Sequence, residues 1–368
     1  MIESMETRLP LCKELYDTLT QNSNEKPFKL TFAPNQLGID TDYFISEESR
    51  SFEVVYFKGT LLRVFKEAHD FLDKSIPISK YPLNIDLFYC TIGFLLTTPE
   101  NKTILNVHLE LILKFIKDKA VDIEEFLQGN GRLSQRLLTS SNNRLNKSSS
   151  LWFFYKILYI LNKNATSGCL HFNFIDTIIN SGSQHTSNYY CWNASRWFFD
   201  VSSIEKKKKL LSEVKTFCFA NIGDCSAWSA LTYMFCQSSR ELTHNIDDYK
   251  NLHNQLHINY DDERIPSFYS FDIASFLTEL ESFITKLRIN ERPPFLCLLN
   301  IMDSFPNNDH VKMFERWGSE VKEFEYKYGK IEIIRNHVKV PDSFSNDAIL
   351  VTSIVHFGNK KRALDNKI

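Results

Sequence analysis

The chain has 368 residues, with 43 lysines and arginines against 45 aspartates and glutamates, for a net charge of −2. That length is enough for a large core, and that charge balance excludes a nucleic-acid binder that works through a broad basic face. Glycine is scarce at 11 while phenylalanine reaches 30, a composition that leaves few tight turns or phosphate-cradling loops and favours helices joined by ordinary loops.

The N-terminal stretch MIESMETRLPLCKELY carries acids early and no apolar run, so no secretory signal is expected. Residues 25–55 are mixed and suggest no single element. In YFKGTLLRVFKEAHDFLDK, Leu61, Leu62, Phe65, Ala68 and Leu72 follow the three-four spacing of one helix face. Further helices are expected over 84–97, 102–118, 121–137, 150–162, 170–180, 188–199, 203–219 and 225–237. Ser202 and Glu205 have the spacing of a capping box, and Lys206 to Lys209 read as a solvated helix face. The apolar run LWFFYKILYIL, 151–161, is about half the ~20 residues needed to span a bilayer and contains Lys156. No stable membrane insertion is expected.

Two polar stretches interrupt the helical pattern. TSSNNRLNKSSS, 139–150, reads as an extended connection, and residues 238–268 read as an insertion. A long helix over about 270–289 then leads to Pro293-Pro294, which suits a helix's first turn. KIEIIRNHVKV, 330–340, alternates like a short strand. NKKRALDNKI reads as a frayed tail without a prenylation box. None of the eight cysteines forms a C-x-x-C pair. Without a secretory signal they are expected as reduced thiols of a cytosolic or nuclear protein, with the cytoplasm as the expected location.

A repeat underlies these helices. NKSSSLWFFYKIL, SNYYCWNASRW and GDCSAWSALTY each run small or polar residues into a tryptophan, then onward as a helix. Trp152, Trp192 and Trp228 lie 40 and 36 residues apart, the spacing of a helical-hairpin array whose members bury their apolar faces only against one another. Asn188 is placed to cap its helix, and Trp192, one turn in, is expected to wedge the paired helices apart. Asn188 and Tyr189 are expected at an exposed end.

These residues resemble the protein prenyltransferase alpha-subunit repeat, whose second helix opens with a pattern like N-Y-x-x-W-x-x-R-R. Asn188-Tyr189-x-x-Trp192 matches it, with Arg196 one step late. Asp224-Cys225-Ser226-Ala227-Trp228 matches a weaker N-x-S-x-W form, with Leu231 for the arginine. Lys147-x-x-x-x-Trp152 keeps the lysine and the tryptophan, with Tyr155-Lys156 where two arginines would stand. PENKTILNVHLELI resembles a first copy, with Leu105 for the tryptophan and His108 for the arginine. RPPFLCLLNIM would be a fifth, anchored by Leu296. The likeness spans roughly residues 60–305. It is closest to the divergent alpha-subunit repeat-containing branch, as a fungal counterpart.

The resemblance implies an all-α fold, a right-handed alpha-alpha superhelix of antiparallel hairpins. Its division would be an N-terminal extension (1–55), helical repeats (56–305, with the insertion at 238–268) and a C-terminal helical extension and tail (306–368). It implies the non-catalytic alpha subunit of a type III-like protein geranylgeranyltransferase. The partner would be the Rab-type beta subunit, which carries the zinc. The substrate would be a protein with C-terminal cysteines, such as a SNARE. In that family a lysine two positions before the third-repeat tyrosine reaches the donor's diphosphate. Here that position is Ser187, so either the beta subunit's own cations suffice, or Lys147 from the preceding repeat substitutes, or catalysis is weak or lost. Asn188, Tyr189, Ser187, Lys147, Arg196 and Asp224 are the expected rim residues.

No catalytic residue and no cofactor are expected on the chain itself, which has no structural-zinc spacing, phosphate loop or nucleophile elbow. His244, His253 and His257, with Asp247, Asp248, Asp261 and Asp262 nearby, lack the glutamate of H-E-x-x-H and read as a solvated loop rather than a metal site. The alternative from another class is a non-enzymatic helical scaffold derived from the same fold, linked to cell-wall organisation. The missing arginines and Ser187 favour the scaffold; the Asn188-Tyr189-Trp192 match favours the subunit.

Overall fold

The computed structural model describes residues 7–21, 28–35, 41–47, 52–165, 172–236, 243–258, 271–287, 289, 291–305, 331–339 and 349–357. In chain order the elements are α1 (Pro10–Thr20), β1 (Phe28–Ala33), β2 (Tyr43–Glu47), β3 (Phe52–Phe57), α2 (Lys58–Phe71), α3 (Ile85–Thr97), α4 (Lys102–Lys117), α5 (Ile123–Leu138), α6 (Asn143–Asn146), α7 (Ser149–Ala165), α8 (Phe174–Gln184), α9 (Tyr189–Val201), α10 (Ile204–Ala220), α11 (Cys225–Phe235), α12 (Thr243–Gln255), α13 (Ile273–Leu287), α14 (Arg292–Ser304), β4 (Ile331–Lys339) and β5 (Ile349–Phe357). The fold is mainly helical and of the helical-repeat type, with strands in two small sheets. Two compact units divide the chain, residues 1–195 with 248–261 and residues 196–247 with 262–368.

Polar side chains set the helix starts. Asn84, Asn101, Asp122, Asn142 and Asn173 each accept a backbone N–H of the helix they precede, which satisfies a donor that has no partner within its helix. In the first unit α2 packs on α3, α3 on α4, and α5 on α7. Every residue of α3 from Leu87 to Leu96 is buried. Arg132 and Arg136 of α5 reach back to α1, donating to the carbonyls of Thr20 at 2.7 Å and Gln21 at 2.6 Å. They thereby satisfy the end of α1 with cations, the favoured sign at a helix C-terminus.

The mixed region 25–55 contains a sheet of order β1-β3-β2. β1 is parallel to β3, from Phe28↔Phe52 to Ala33↔Phe57, and β2 antiparallel to it, from Tyr43↔Tyr56 to Glu47↔Phe52. Paired aromatics hold the register: Phe28 stacks on Phe52, and Tyr43 lies 5.2 Å from Tyr56. In the second unit α10 packs on α11, and α11 and α13 both pack on α14. Trp228 stacks on Phe219 at 5.8 Å, and Phe219 on Phe283 at 4.2 Å. β4 and β5 form an antiparallel pair from Ile331↔Phe357 to Lys339↔Ile349. The strand expected at 330–340 is therefore present.

Several local expectations are corrected. Ser203, not Ser202, caps α10, accepting from the Lys206 N–H at 3.5 Å; the helix starts one residue later and Ser202 is buried. Lys207 is not on a solvated face. It is buried, with its ammonium 5.7 Å from the Phe199 ring, and its pKa is lowered by burial, against the pull of Asp200. Residues 139–150 are not extended, because α6 buries Leu145 and Asn146 there. The insertion carries α12, which buries Tyr249, Leu252 and His253. In the expected helical extension 306–368 the described residues are strands. The frayed tail, Asp261 and Asp262 lie outside the described residues.

His108, on α4, is wholly buried, stacked 5.0 Å over Phe88 and hydrogen-bonded to Thr91 Oγ1 at 2.9 Å. Burial, only partly offset by Asn130, pushes its pKa down to about 3. The folded chain thus refuses a proton that the unfolded chain accepts below about pH 6.5. Its contribution is present above that value and lost as pH falls, with a slope of up to about 1.4 kcal/mol per pH unit. Urea unfolding from about pH 7 to about pH 5 should show stability falling, and His108→Leu should flatten the slope. An unchanged slope would exclude His108 as its source.

Candidate functional site

The three tryptophans share one register at the starts of their helices. Ser148 precedes α7, Asn188 precedes α9 and Asp224 precedes α11. Their side chains accept from the N–H groups of Leu151 at 3.1 Å, Cys191 at 3.3 Å and Ala227 at 3.0 Å. Their carbonyls accept from Trp152, Trp192 and Trp228. Each indole therefore sits four residues after its cap, the position that packs against the chain entering a helix, and all three are buried. Leu105 holds the same place after Asn101 in α4. In α14 the place belongs to Phe295, not Leu296. The helix starts after Glu291, so Phe295 falls four residues on and is fully buried, while Leu296 is half-buried.

The wedging contact is clearest at Trp192. A Cβ on Gly182 of α8 would lie 2.6 Å from its Cζ2, so the ring lies directly on the α8 backbone, where only glycine leaves room. Beside it Cys191 Sγ donates to the Ile178 carbonyl at 3.2 Å. Trp152 and Trp228 meet other neighbours: Trp152 Nε1 donates to the Asn146 carbonyl at 3.3 Å, and Trp228 stacks on Phe219.

Asn188 is not at an exposed end; it is completely buried. Its Nδ2 donates to Asn146 Oδ1 at 2.6 Å. Asn146 Nδ2 donates in turn to the carbonyl of Leu138 at 2.6 Å and to Ser181 Oγ at 2.9 Å and O at 3.1 Å. This cluster joins the end of α5, α6, α8 and the cap of α9. Sequence reasoning found Asn188 but missed Asn146 and Ser181, because a buried asparagine in a polar stretch looks like a solvated one. Gly182, a glycine inside a helix facing a tryptophan, was the available signal.

The first unit brings Lys147, Ser187, Asn188 and Tyr189 together. Ser187 is exposed, with a left-handed φ of 54°. Tyr189 is 59% exposed and Tyr190 42%, their rings perpendicular at 5.5 Å. Lys147 Nζ donates to the Thr186 carbonyl at 3.5 Å. It borders a cleft of about 390 Å³ together with Arg144, Asn101, Glu100 and Tyr190. Burial raises the pKa of Glu100, but hydroxyls of Ser148, Ser149 and Ser150 outweigh it and hold the carboxyl below its ordinary value.

Arg196 and Asp224 belong to the second unit. Arg196 donates to Ser229 Oγ at 2.8 Å and lies 5.5 Å from the Tyr233 ring. Asp224 is buried at the helix start it caps. Tyr233 and Asn245 both donate to the buried Asp200 at 2.5 Å, a network the sequence did not signal. His253 is buried against Tyr249 at 4.5 Å, not solvated. Among the described residues no three histidine, cysteine, aspartate or glutamate side chains are grouped to hold a metal, and no helix is long and apolar enough to cross a membrane.

Fold and site define a mainly helical protein whose recurrent helix starts present one polar, aromatic rim in the first unit. The chain belongs to the ECM9 family: its N-terminal domain matches residues 5–139, its middle domain 151–256 and its C-terminal domain 273–368. Protein ECM9 of Saccharomyces cerevisiae is 39% identical over 366 residues, covering 98% of this chain and 97% of the relative. The gap between the first two domains coincides with α6 and its flanks.

Four substitutions test this architecture. Gly182→Ala should destabilise by about 1–3 kcal/mol through overpacking. Adding Trp192→Phe should recover part of that loss, so chemical denaturation of the double variant should be less than additive; strict additivity would separate the two residues. Asn146→Ala should cost roughly 1–3 kcal/mol for each buried group left unpaired, while Asn143→Ala, on the exposed side of the same short helix, should change the denaturation midpoint little.

Proposed function

We propose that this chain is the alpha-type subunit of a two-chain protein prenyltransferase of the geranylgeranyl type, not catalytic alone. The observation that carries this reading is the match of Asn188-Tyr189-x-x-Trp192 to the prenyltransferase repeat, together with the recurrence of its cap-and-indole register in α7 and α11. In this role Tyr189, exposed beside the buried Asn188, meets the beta subunit, a Rab-type chain that supplies the zinc. The zinc would activate the acceptor thiol by coordinating it as thiolate. The alpha-type chain would hold the beta subunit in place and present a protein with C-terminal cysteines, such as a SNARE, in the cytoplasm.

A second reading, a scaffold of the same fold without enzymatic activity, rests on Ser187. The family's lysine would place a cation against the charge developing on a diphosphate leaving group; a serine hydroxyl there supplies none. The first reading then requires that charge to come from the beta subunit or from Lys147, which shares the rim.

Co-expression with a Rab-type beta subunit separates the two. A stable heterodimer containing zinc, and transfer of a farnesyl or geranylgeranyl group to a C-terminal-cysteine acceptor, are expected. Tyr189→Ala should weaken that assembly without lowering the melting temperature. Trp192→Ala should destabilise the chain by about 3–5 kcal/mol. Consistent failure to recover a beta subunit would favour the scaffold, and equal melting losses in both variants with intact assembly would remove Tyr189 from the interface.

A further inference from the structure

We propose that the cleft between α6 and Tyr190 is a docking site for an acidic, extended segment of a protein partner. It lies in the first unit and shares the rim described above, but it requires no prenyltransferase partner.

The physical case starts with α6. Arg144 and Lys147 are three residues apart, a spacing that puts both on one face of a helical turn. The turn is fixed from below. Asn142 accepts from the Arg144 N–H at 2.9 Å, Leu145 is buried, and Asn146 is tied to Leu138, Ser181 and Asn188. The two cations therefore stand on a backbone already ordered, so a ligand that meets them is spared the cost of ordering that backbone and has only the side-chain rotamers to fix. Neither forms an ion pair with a carboxylate among the described residues, whereas Lys114 pairs with Asp118 and Lys156 with Asp248.

The one carboxylate bordering the cleft does not neutralise them. Glu100 Oε2 accepts from Ser149 Oγ at 2.8 Å and Ser150 Oγ at 3.2 Å, so the carboxylate is turned to the start of α7 rather than paired with Arg144 or Lys147. The cleft is thus polarised, with cations on the α6 side and an occupied carboxylate on the other. Tyr190 adds exposed aromatic surface to the cleft wall, with the exposed Tyr189 ring edge-on beside it, the residue type enriched where proteins meet. The volume of about 390 Å³ lies in the range of sites that take a few side chains and is too small for a folded domain. Two cations on a chain of net charge −2 suit carboxylates rather than a nucleic-acid backbone. An acidic segment would place carboxylates on Arg144 and Lys147 and lay apolar surface on Tyr190.

The full chain alone serves for the test. A fluorescein-labelled Glu-Glu-Phe-Glu peptide is titrated by anisotropy at low ionic strength, beside its Gln-Gln-Phe-Gln counterpart and inorganic pyrophosphate. Saturable binding of the acidic peptide is expected in roughly the micromolar range, weakening as salt rises, with no saturation by the neutral peptide. Arg144→Gln with Lys147→Gln should weaken binding by about tenfold or more, and Tyr190→Ala by a smaller factor. Lys117→Gln, an exposed change at the far end of α4, should leave it unaltered, and circular dichroism should be the same for all. Equal binding of acidic and neutral peptides, full binding by the double variant, or pyrophosphate binding tightly where the peptide does not, would each overturn the proposal. Because no beta subunit is present, a failure here does not touch the heterodimer, and failed heterodimer assembly does not touch this result.

Discussion

One buried cluster of two amides and a hydroxyl holds together the end of the first unit that carries the rim. Asn146, Ser181 and Asn188 have no exposed surface, so every polar atom they bury must find a partner inside the protein or cost free energy. They do so by bonding to one another and to backbone groups of four elements, and the Asn146 carbonyl also takes the indole N–H of Trp152. A network of this kind is directional in a way that apolar packing is not. It fixes where α6 sits and where α9 begins, and so where Trp192 meets Gly182. Sliding any one helix would orphan several groups together.

That constraint explains why a short four-residue helix can carry surface chemistry. An isolated turn of this length has no stability of its own. Here its last residue is anchored in the interior, and its outward residues inherit a fixed position. The same end displays two tyrosines whose apolar faces are left to water although the next residues of the helix, Cys191 and Trp192, are buried. Interior order and surface display are two sides of one arrangement: the polar cluster underneath makes the rim rigid.

Periodicity made most of the fold legible. The helices expected at 84–97, 102–118, 121–137, 188–199 and 203–219 all exist with ends shifted by a few residues, because each repeats an apolar face over several turns. The tryptophan register was legible for the same reason. What was hidden was the environment of polar residues. Asn188 as a cap follows from local sequence, but its burial depends on Asn146, 42 residues away, and no local pattern encodes that pairing. Lys207 sat in a run of lysines that looks uniformly solvated, yet helical rotation turns it inward beside Phe199. That the anchor of α14 is Phe295 rather than Leu296 was hidden because Glu291 makes no capping hydrogen bond: Pro293 and Pro294 mark the first turn, but nothing in the local sequence fixes which residue begins it. The sheet of β1, β2 and β3 escaped because its strands have only five or six residues each, too few for alternation to stand out from a mixed background.

The three tryptophan helices also show how a repeat can diverge without losing its frame. The backbone contact from the cap carbonyl to the indole residue is the same in each, whereas the cap side chain is a serine, an asparagine and an aspartate. Each solves the donor problem at a helix start, but with different consequences. Asp224 brings a carboxylate to the positive end of α11 and accepts two N–H groups there, so its negative charge is balanced locally by the helix. Asn188 has donors as well as an acceptor and therefore links its helix sideways to Asn146. The frame is preserved by the position four residues on, which must be large and apolar; the cap is free to vary within the set that can accept. Chemistry that distinguishes one hairpin from the next accordingly collects at these ends. In the first unit it takes the form of Arg144, Lys147, Tyr189 and Tyr190, all at the protein surface.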